Sequence, residues 1–264
     1  RALRRQRQPA GAPRPAAFVT LQHGMGQLAS ELAGHLAGRT VTRAPVTTIS
    51  RADHGYAVHL SDGRQIAARV IVVATPAAVA ACLLATVAPD AANRLLALQT
   101  RDTGSMTLAY PATAIRRAPP GYGVVIPRAE QRPINAITVA TAKFPGRAPE
   151  GWSLLRVFFG GARSPESMAL DDQRLLDVVQ RELRDLFGIN AEPALYRVYR
   201  WRAGSPLYDV GHMDRVAEIE HALPRGILVT GSAYRGVGIP DITRQAERAA
   251  RAAAEAVMSP GGSG

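Results

Sequence analysis

Residues 226–257, GILVTGSAYRGVGIPDITRQAERAARAAAEAV, decide the fold because they place a strand, a glycine-rich loop and a long helix in direct succession. The apolar run 226–230 predicts a buried strand, and the alanine- and arginine-rich run at the end predicts a helix. Between them lie Gly231, Gly236 and Gly238. Glycines let a ligand approach the backbone, and the start of a helix offers free N–H groups and partial positive charge. This pattern predicts a site for a large flat or negatively charged ligand, although a glycine-rich turn before an ordinary capped helix explains the same spacing.

A second strand–helix unit occupies residues 69–84, RVIVVATPAAVAACLL. Its apolar run is typical of a central parallel strand that is buried on both faces. Thr75-Pro76 breaks the strand, and Pro76 suits the first turn of the helix that follows. Upstream, residues 56–68 predict a β-hairpin with an Asp62-Gly63 turn.

The first part of the chain predicts two further elements. Residues 18–28, FVTLQHGMGQL, indicate a short strand, a glycine turn and the start of an amphipathic helix, with Leu28 and Leu32 on one face of that helix. Residues 40–50 indicate a strand in which Val46 and Ile49 point inward.

The middle of the chain changes character, because strand patterns follow one another without a long helix between them. These strand patterns span residues 105–111, 122–127, 134–144 and 153–161, and a clear helix over 171–188 precedes another strand over 194–201. We expect an antiparallel or mixed sheet that forms a second domain. If the last strand and helix return to the first α/β block, the two bodies leave a cleft between them, where ligands tend to bind.

Composition excludes several classes of protein. The chain has 264 residues, 47% hydrophobic residues and a net charge of +11, with no apolar run long enough to span a membrane. A positive charge of this size is typical of nucleic-acid-binding proteins. Part of it, however, lies in the arginine-rich N-terminal segment, and aromatic residues, on which bases could stack, make up only 5% of the chain. We therefore expect no nucleic-acid partner, and a basic surface that favours a carboxylate-bearing substrate. The single Cys82 excludes an intrachain disulfide and a cysteine-based zinc site and suits a reducing cytoplasm.

Few residues are candidates for chemistry. His23, Tyr208 and His212 could act as acid–base or hydrogen-bonding groups, but most lone histidines in such positions are structural, and we favour a structural role for both histidines. Trp201 could stack on a planar ligand or fill a seam between domains. No Ser/His/Asp order, metal-binding spacing or pair of catalytic carboxylates is recognisable. We therefore predict no metal site, and the sequence assigns no catalytic residue. If the chain belongs to an enzyme, the difficult chemistry resides in a cofactor.

Taken together, these segments resemble the C-terminal half of the oxygen-dependent protoporphyrinogen/coproporphyrinogen oxidases of haem biosynthesis, within the flavin-containing amine oxidase superfamily. The resemblance extends from about Phe18 to Val257. The matching segments are residues 18–32, 70–84, 121–127, 142–161, 199–212 and 231–241.

The resemblance implies an α/β (α+β) fold in which a partial, Rossmann-like FAD-binding domain carries an inserted mixed-sheet substrate domain. Such flavoproteins begin with a strand, a GxGxxG loop and a helix. Residues 24–29, GMGQLA, do not match that pattern because they lack the third glycine at the required position. We therefore expect that the N-terminal dinucleotide-binding element is missing and that this piece alone is inactive. The expected division is a disordered lead (1–16), part of the FAD domain (17–103), the substrate domain (104–200), the returning FAD domain (201–258) and a flexible tail (259–264).

The resemblance also implies FAD as cofactor, a porphyrinogen as substrate and O2 as electron acceptor. Positions that match FAD contacts of the family are Val46, Trp201, Gly231, Gly236, Val237, Gly238 and Ile239. Two alternatives remain open: a flavin amine oxidase or carotenoid desaturase, and a non-catalytic remnant that binds a porphyrin or a partner. The choice between coproporphyrinogen and protoporphyrinogen, and the oligomeric state, also remain open.

Overall fold

The computed structural model describes residues 19–117 and 121–258 as ten strands, seven helices and three short 3-10 turns. The strands are β1 (Val46–Ala52), β2 (Gly55–Leu60), β3 (Gln65–Ala68), β4 (Ile71–Val73), β5 (Thr100–Pro111), β6 (Gly123–Val125), β7 (Ala136–Val139), β8 (Trp152–Gly160), β9 (Leu195–Pro206) and β10 (Ile227–Val229). The helices are α1 (Gly26–His35), α2 (Ala77–Leu84), α3 (Pro89–Leu96), α4 (Ala140–Lys143), α5 (Asp172–Phe187), α6 (His212–Ala222) and α7 (Ile239–Met258).

The largest sheet has five strands in the order β6-β7-β8-β5-β9, and all its pairings are antiparallel. This is one of the two arrangements that the sequence left open. The amphipathic α5 packs on one face and closes an apolar core with β5, β7 and β8. Its predicted limits are confirmed: the Asp171 carboxylate accepts a hydrogen bond from the Arg174 N–H at 2.8 Å, and Gly188 ends the helix in a left-handed conformation.

A two-stranded parallel sheet joins β4 to β10, with Val73 opposite Val229. This confirms that the last strand returns to the first α/β block. A second core lies beside this pair and is built mainly from α2, α3 and α6. The expectation that the β4 run is buried on both faces is wrong, because Val72 is 40% exposed while Val73 is buried. Within the described sheet β4 pairs with one strand and packs through one face only.

The three-stranded sheet β1-β2-β3 contains the predicted hairpin, in which β2 and β3 pair in antiparallel fashion around the turn at Gly63. Ile49 is buried as expected, but Val46 is 37% exposed, so the inward orientation predicted for Val46 is wrong. Val46 is the first residue of β1 and lies beyond an irregularity in its pairing with β2. The alternation that buries Ile49 therefore does not extend to it.

Other elements differ locally from the prediction. Residues 19–21 form no strand, and Phe18 lies outside the described residues. The predicted glycine turn and amphipathic helix are present, but the leucine face of α1 is exposed and no residue of this helix is buried. The strand expected over 134–144 ends at Val139 and continues as the single helical turn α4. Helix α3 was not predicted; it begins with Pro89 in its first turn and buries three apolar side chains.

The predicted domain boundaries remain predictions. Strands β5 and β9 run without interruption across residues 103/104 and 200/201. The predicted disordered lead and flexible tail lie outside the described residues. Among the helices that are described, none is both long enough and apolar enough to cross a membrane.

Candidate functional site

A small cavity lies where the parallel pair β4/β10 meets the long strands β5 and β9. Its volume is about 180 Å³. Every residue that lines it is small, which leaves the backbone accessible; the lining comprises Ala74, Thr75, Pro76, Ala77, Thr100, Ala203, Gly204, Pro206, Gly231, Ser232 and Ala233. Because the carboxyl ends of parallel strands meet at one edge of a sheet, this is where open α/β sheets bind their ligands. We call it the strand-end cavity.

Two features of the strand-end cavity destabilise the folded chain when no ligand is bound there. The Thr75 hydroxyl oxygen is buried and has no hydrogen-bond partner within the described residues. Ala203 adopts a left-handed conformation with φ of 48°, and its N–H donates to an Asp102 carboxylate oxygen at 2.7 Å. Orphaned buried polar atoms and strained backbone both concentrate at ligand sites. The lining therefore suits a ligand that offers a hydrogen-bond partner to Thr75.

The glycine loop, residues 231–238, connects β10 to α7 and borders this cavity through Gly231. Two of its glycines are needed for a reason that the sequence did not reveal. A Cβ added at Gly236, where φ is 132°, would lie 2.6 Å from the Asp241 Cβ, and one added at Gly238 would lie 3.1 Å from an Asp241 carboxylate oxygen. These two glycines admit the Asp241 side chain. Gly231 has a φ of 131°, and a Cβ added there would have the Ala74 carbonyl oxygen as its nearest neighbour, at 4.0 Å.

Side chains from outside the glycine loop hold it in place. The Tyr208 hydroxyl donates to the Ser232 carbonyl at 2.7 Å and accepts the Gly236 N–H at 2.8 Å. From the other side, the buried Gln245 accepts the Arg235 N–H at 3.2 Å and donates to the Gly236 carbonyl at 3.3 Å. The loop is therefore rigidly positioned, although its outward residues are exposed.

His212 supports Tyr208 and is not placed for acid–base chemistry. Its ring stacks on that of Tyr208 with centroids 3.9 Å apart, and its Nε2 lies 2.9 Å from the Tyr234 carbonyl oxygen. His212 is 5% exposed. His23 lies in the exposed turn before α1, where its backbone N–H donates to the Gln27 side chain. Of the interpretations left open by the sequence, the structural one fits both histidines.

The outer edge of the glycine loop offers backbone donors. No hydrogen bond within the described residues uses the N–H of Val237, Gly238 or Ile239, and the side chains of Val237 and Ile239 are 59% and 49% exposed. Ile239 begins α7 and the other two residues precede it directly, so all three N–H groups lie at the helix N-terminus, where the helix dipole adds partial positive charge. The bend is thus open to an anionic or charge-accumulating ligand and is not packed solid by side chains.

Two arginines near the glycine loop are paired with carboxylates. Arg235 donates to the Glu220 carboxylate from Nε at 3.0 Å and from Nη2 at 2.5 Å, and these hydrogen bonds raise the pKa of Arg235. Arg244 pairs with Asp241. These two cations are therefore neutralised by carboxylates of the same chain.

The remaining predicted positions lie apart from the glycine loop. Val46 begins β1 in the three-stranded sheet. Trp201 lies in β9, is 49% exposed and stacks on Tyr199 with centroids 6.1 Å apart. Trp201 approaches the strand-end cavity through Gly204, where an added Cβ would lie 2.5 Å from the Trp201 Cβ. The structure thus brings Gly231 and Trp201 to the same region, places Gly236 and Gly238 against Asp241 and leaves Val46 on another sheet.

A larger cavity of about 420 Å³ lies behind the glycine loop, between β10 and α7. Thr230 and Tyr234 line it, and neither hydroxyl oxygen has a hydrogen-bond partner within the described part of the chain. Burial raises the pKa of Tyr234 to about 12, so this hydroxyl stays protonated at neutral pH.

The face of the five-stranded sheet opposite α5 is a second candidate surface, which we call the open face. Alternate residues of β8, β5 and β9 point away from the core. The large residues on this face are Leu154, Arg156, Phe158, Leu195, Arg197, Tyr199 and Trp201, and the small ones along β5 are Thr103, Ser105, Thr107 and Ala109. The alternation of residues 154–158 could have indicated this face from sequence.

No group of three or more His, Cys, Asp or Glu side chains suitable for a metal ion occurs in residues 19–117 and 121–258. Cys82 is a free thiol. The chemistry that this arrangement can perform is binding of a planar ligand between small residues and polarisation of it by backbone N–H groups.

Residues 4–254 match the family described as flavin containing amine oxidoreductase. The chain is 36% identical to a coproporphyrinogen III oxidase of Propionibacterium freudenreichii subsp. freudenreichii over 96% of its own length and 47% of that protein. It is 31% identical to the coproporphyrinogen III oxidase of Bacillus subtilis (strain 168) over 88% of this chain and 50% of that protein. The chain therefore spans about half the length of the curated relatives that it matches.

Solved structures share the fold. A crystal structure of a proposed protoporphyrinogen oxidase from Exiguobacterium sp. 255-15 superposes with a TM-score of 0.79 at 28% identity, covering 93% of this chain and 54% of the other. Putrescine oxidase superposes with a TM-score of 0.67 at 16% identity over 90% of this chain and 53% of the other. The second likeness concerns the fold alone.

Proposed function

Because this chain belongs to the family of flavin-containing amine oxidoreductases, we propose that it forms part of an FAD-dependent oxidase that converts a porphyrinogen to the porphyrin with O2 as electron acceptor. The sequence similarity to coproporphyrinogen III oxidases along nearly the whole chain favours coproporphyrinogen III as the substrate. When bound, FAD supplies the electron sink that accepts two electrons from the substrate in each step and transfers them to O2.

The observation that carries this proposal is the position of the strand-end cavity beside the open face. Strands β5 and β9 contribute Thr100 and Pro206 to the cavity, and further along the same strands they carry the open face. A planar cofactor in the cavity would thus lie next to a surface with aromatic and arginine side chains. That surface suits a large apolar ring that carries carboxylates.

The residues of this chain fit a flavin at the strand-end cavity. The small lining residues leave room for the ring to contact backbone, and Thr75 offers a hydrogen bond that no protein group takes up. The free N–H groups of Val237, Gly238 and Ile239 would stabilise negative charge on the reduced ring, as an oxyanion hole does. Trp201 would contact the flavin from β9, and Val46 would contribute from β1.

The test uses the complete gene product that carries this chain. It is supplied with FAD, and the appearance of porphyrin fluorescence and of peroxide is followed with coproporphyrinogen III, protoporphyrinogen IX and putrescine in turn. We expect oxidation of coproporphyrinogen III in preference to the other two. Oxidation of the amine without oxidation of either porphyrinogen would contradict the proposal and favour an amine oxidase.

Replacing Thr75 with valine should change stability and flavin affinity in opposite directions. Valine has the same shape but removes a buried hydroxyl that lacks a partner, so the flavin-free protein should become more stable by up to about 1 kcal/mol. The flavin would lose a hydrogen bond, so FAD should bind about 10-fold more weakly. Thermal unfolding without FAD and titration with FAD measure the two effects.

Thr230→Val is the matched control for this pair of measurements. Its hydroxyl is also buried without a partner, but it lines the larger neighbouring cavity. We expect the same gain in stability without the loss of FAD affinity. If Thr75→Val leaves FAD affinity at the wild-type value, the flavin does not contact the strand-end cavity at Thr75.

A further inference from the structure

The open face forms a trough along β5. The central strand presents only small side chains there, and the register places larger side chains on both sides of Ser105, Thr107 and Ala109. Ser105 lies between Phe158 and Tyr199, and Thr107 lies between Arg156 and Arg197. Because adjacent strands lie about 4.8 Å apart, the Cα atoms across the trough are separated by roughly 10 Å. The walls of the trough are therefore aromatic on both sides at Ser105 and carry an arginine on both sides at Thr107, two residues further along β5.

One wall of the trough opens into a basic pocket of about 310 Å³. Arg156 and Phe158 belong to both, and α4 and the segment after it close the pocket with Lys143 and Phe144. Three cationic side chains line it, Lys143, Arg147 and Arg156, and no acidic side chain does so among the residues that the structure describes. Net positive charge in a concave site lined by apolar groups attracts an anion.

The three cationic side chains of this basic pocket differ in the contacts that they make within the protein. The Arg147 Nη2 donates to the Thr20 hydroxyl at 2.6 Å and to the Leu21 carbonyl at 2.9 Å, which fixes the segment over the pocket. The Lys143 ammonium lies 5.6 Å from the centre of the Phe144 ring. The exposed Arg156 guanidinium, by contrast, has no hydrogen-bond or ion-pair partner within residues 19–117 and 121–258. It is the cation best placed to accept a ligand carboxylate.

We propose that Arg156, with Lys143 beside it, binds a propionate carboxylate of the substrate in the basic pocket while Phe158 and Tyr199 contact the ring in the trough. This inference rests on the proposed function and assigns the carboxylate-binding residue within the same site. A guanidinium binds a carboxylate through two parallel hydrogen bonds, so this contact fixes the orientation of the ring as well as its affinity. Arg156 is a binding residue and takes no part in electron transfer.

The test separates charge recognition from shape. Binding of coproporphyrin III and of its tetramethyl ester to the complete, FAD-loaded gene product is measured by fluorescence for the wild type, Arg156→Met and Arg156→Lys. We expect Arg156→Met to weaken binding of the acid by about 10- to 100-fold and to leave binding of the ester unchanged, because only the acid carries carboxylates. Arg156→Lys should retain part of the affinity, since it keeps the charge but not the paired donors.

Arg181→Met is the control for overall charge, because Arg181 is exposed on α5, the helix on the opposite side of the five-stranded sheet. It should bind the acid as the wild type does. With coproporphyrinogen III as substrate, Arg156→Met should raise KM by a similar factor with little change in kcat.

Each outcome decides between the subsite and the proposed function. Equal losses for acid and ester, or wild-type binding of the acid by Arg156→Met, would overturn the carboxylate subsite even if porphyrinogen oxidation is observed. Binding that depends on Arg156 in a protein that oxidises no porphyrinogen would support the subsite and remove the proposed function. A wild type that binds neither porphyrin and oxidises no porphyrinogen overturns both.

Discussion

Replacing Gly104 with valine should lower the free energy of unfolding by at least about 3 kcal/mol, because no side chain fits at this position of β5. Gly104 faces the core, and a Cβ built there would lie 2.2 Å from Cζ and 2.3 Å from Cε2 of Phe159 on the neighbouring strand. Phe159 is 1% exposed and is enclosed by the core under α5, so its ring has no space to move aside. Thermal or urea unfolding measures the loss, which corresponds to a fall in Tm of roughly 10 °C.

The double variant tests the cause of this loss. Phe159→Ala alone should cost about 3 to 5 kcal/mol through the cavity that it creates. Combined with Gly104→Val, it should cost at least about 2 kcal/mol less than the sum of the two single changes, because the valine then fills space that the ring vacated. Strict additivity would show that the Gly104–Phe159 contact does not limit substitution here.

This contact has a functional consequence on the other side of the sheet. Ser105 and Phe158, the sequence neighbours of Gly104 and Phe159, face the trough of the open face. Close approach of β5 to the Phe159 ring therefore positions the floor and one wall of the trough together. The core under the sheet, and not the trough residues alone, fixes the shape of the proposed substrate site.

Replacing Gly236 with alanine should destabilise the protein by about 3 kcal/mol and weaken FAD binding by at least about 100-fold. Its φ of 132° is accessible almost only to glycine, and the added methyl group would lie 2.6 to 2.9 Å from three atoms of Asp241. Relief of these contacts requires the loop to shift, which would break the hydrogen bonds that Tyr208 and Gln245 make to Gly236. The N–H groups at the start of α7 would then lose their alignment. Thermal unfolding without FAD and titration with FAD measure the two losses.

Gly238→Ala is the matched control, two residues away in the same loop. Its φ lies outside the left-handed range, and the nearest atom to its added methyl group would be a carboxylate oxygen of Asp241 at 3.1 Å, so we expect a loss of stability below about 1 kcal/mol. FAD binding should weaken far less than for Gly236→Ala. Equal effects of both substitutions on FAD affinity would argue that the loop's glycines face the cofactor directly and not the Asp241 side chain.

Elements with a strong local signal were predictable. The α5 limits follow from an aspartate at its start and a glycine at its end, and the β2–β3 hairpin follows from Asp62-Gly63. Errors arose where neighbours in space decide. Val46 and Val72 are apolar, but their burial depends on which strands and helices cover them. The strand pattern at 134–144 gave way to α4 because local periodicity cannot tell where pairing with a neighbouring strand ends.

The candidate site divides in the same way. From the sequence came the strand–loop–helix unit at 226–257, the family resemblance and the seven positions proposed to contact FAD, and those contacts remain a prediction. The structural reason for Gly236 and Gly238 could not be predicted from the sequence. Their proximity to the Asp241 side chain depends on how the loop folds back on the first turn of α7. The orphaned hydroxyl of Thr75 was likewise invisible before β4 and β10 were joined.

The sequence by itself determined α5, the β2–β3 hairpin, the strand–loop–helix unit at 226–257 and the family resemblance, because periodicity, caps and glycine spacing act over a few residues along the chain. Only the tertiary structure decided that residues 74–77 and 231–233 share one cavity and that Arg156 and Arg197 face each other across Thr107. The physical reason is that a ligand site is made by strand pairing between segments distant in sequence. Burial, register and backbone φ, which set that pairing, are properties of the assembled sheets.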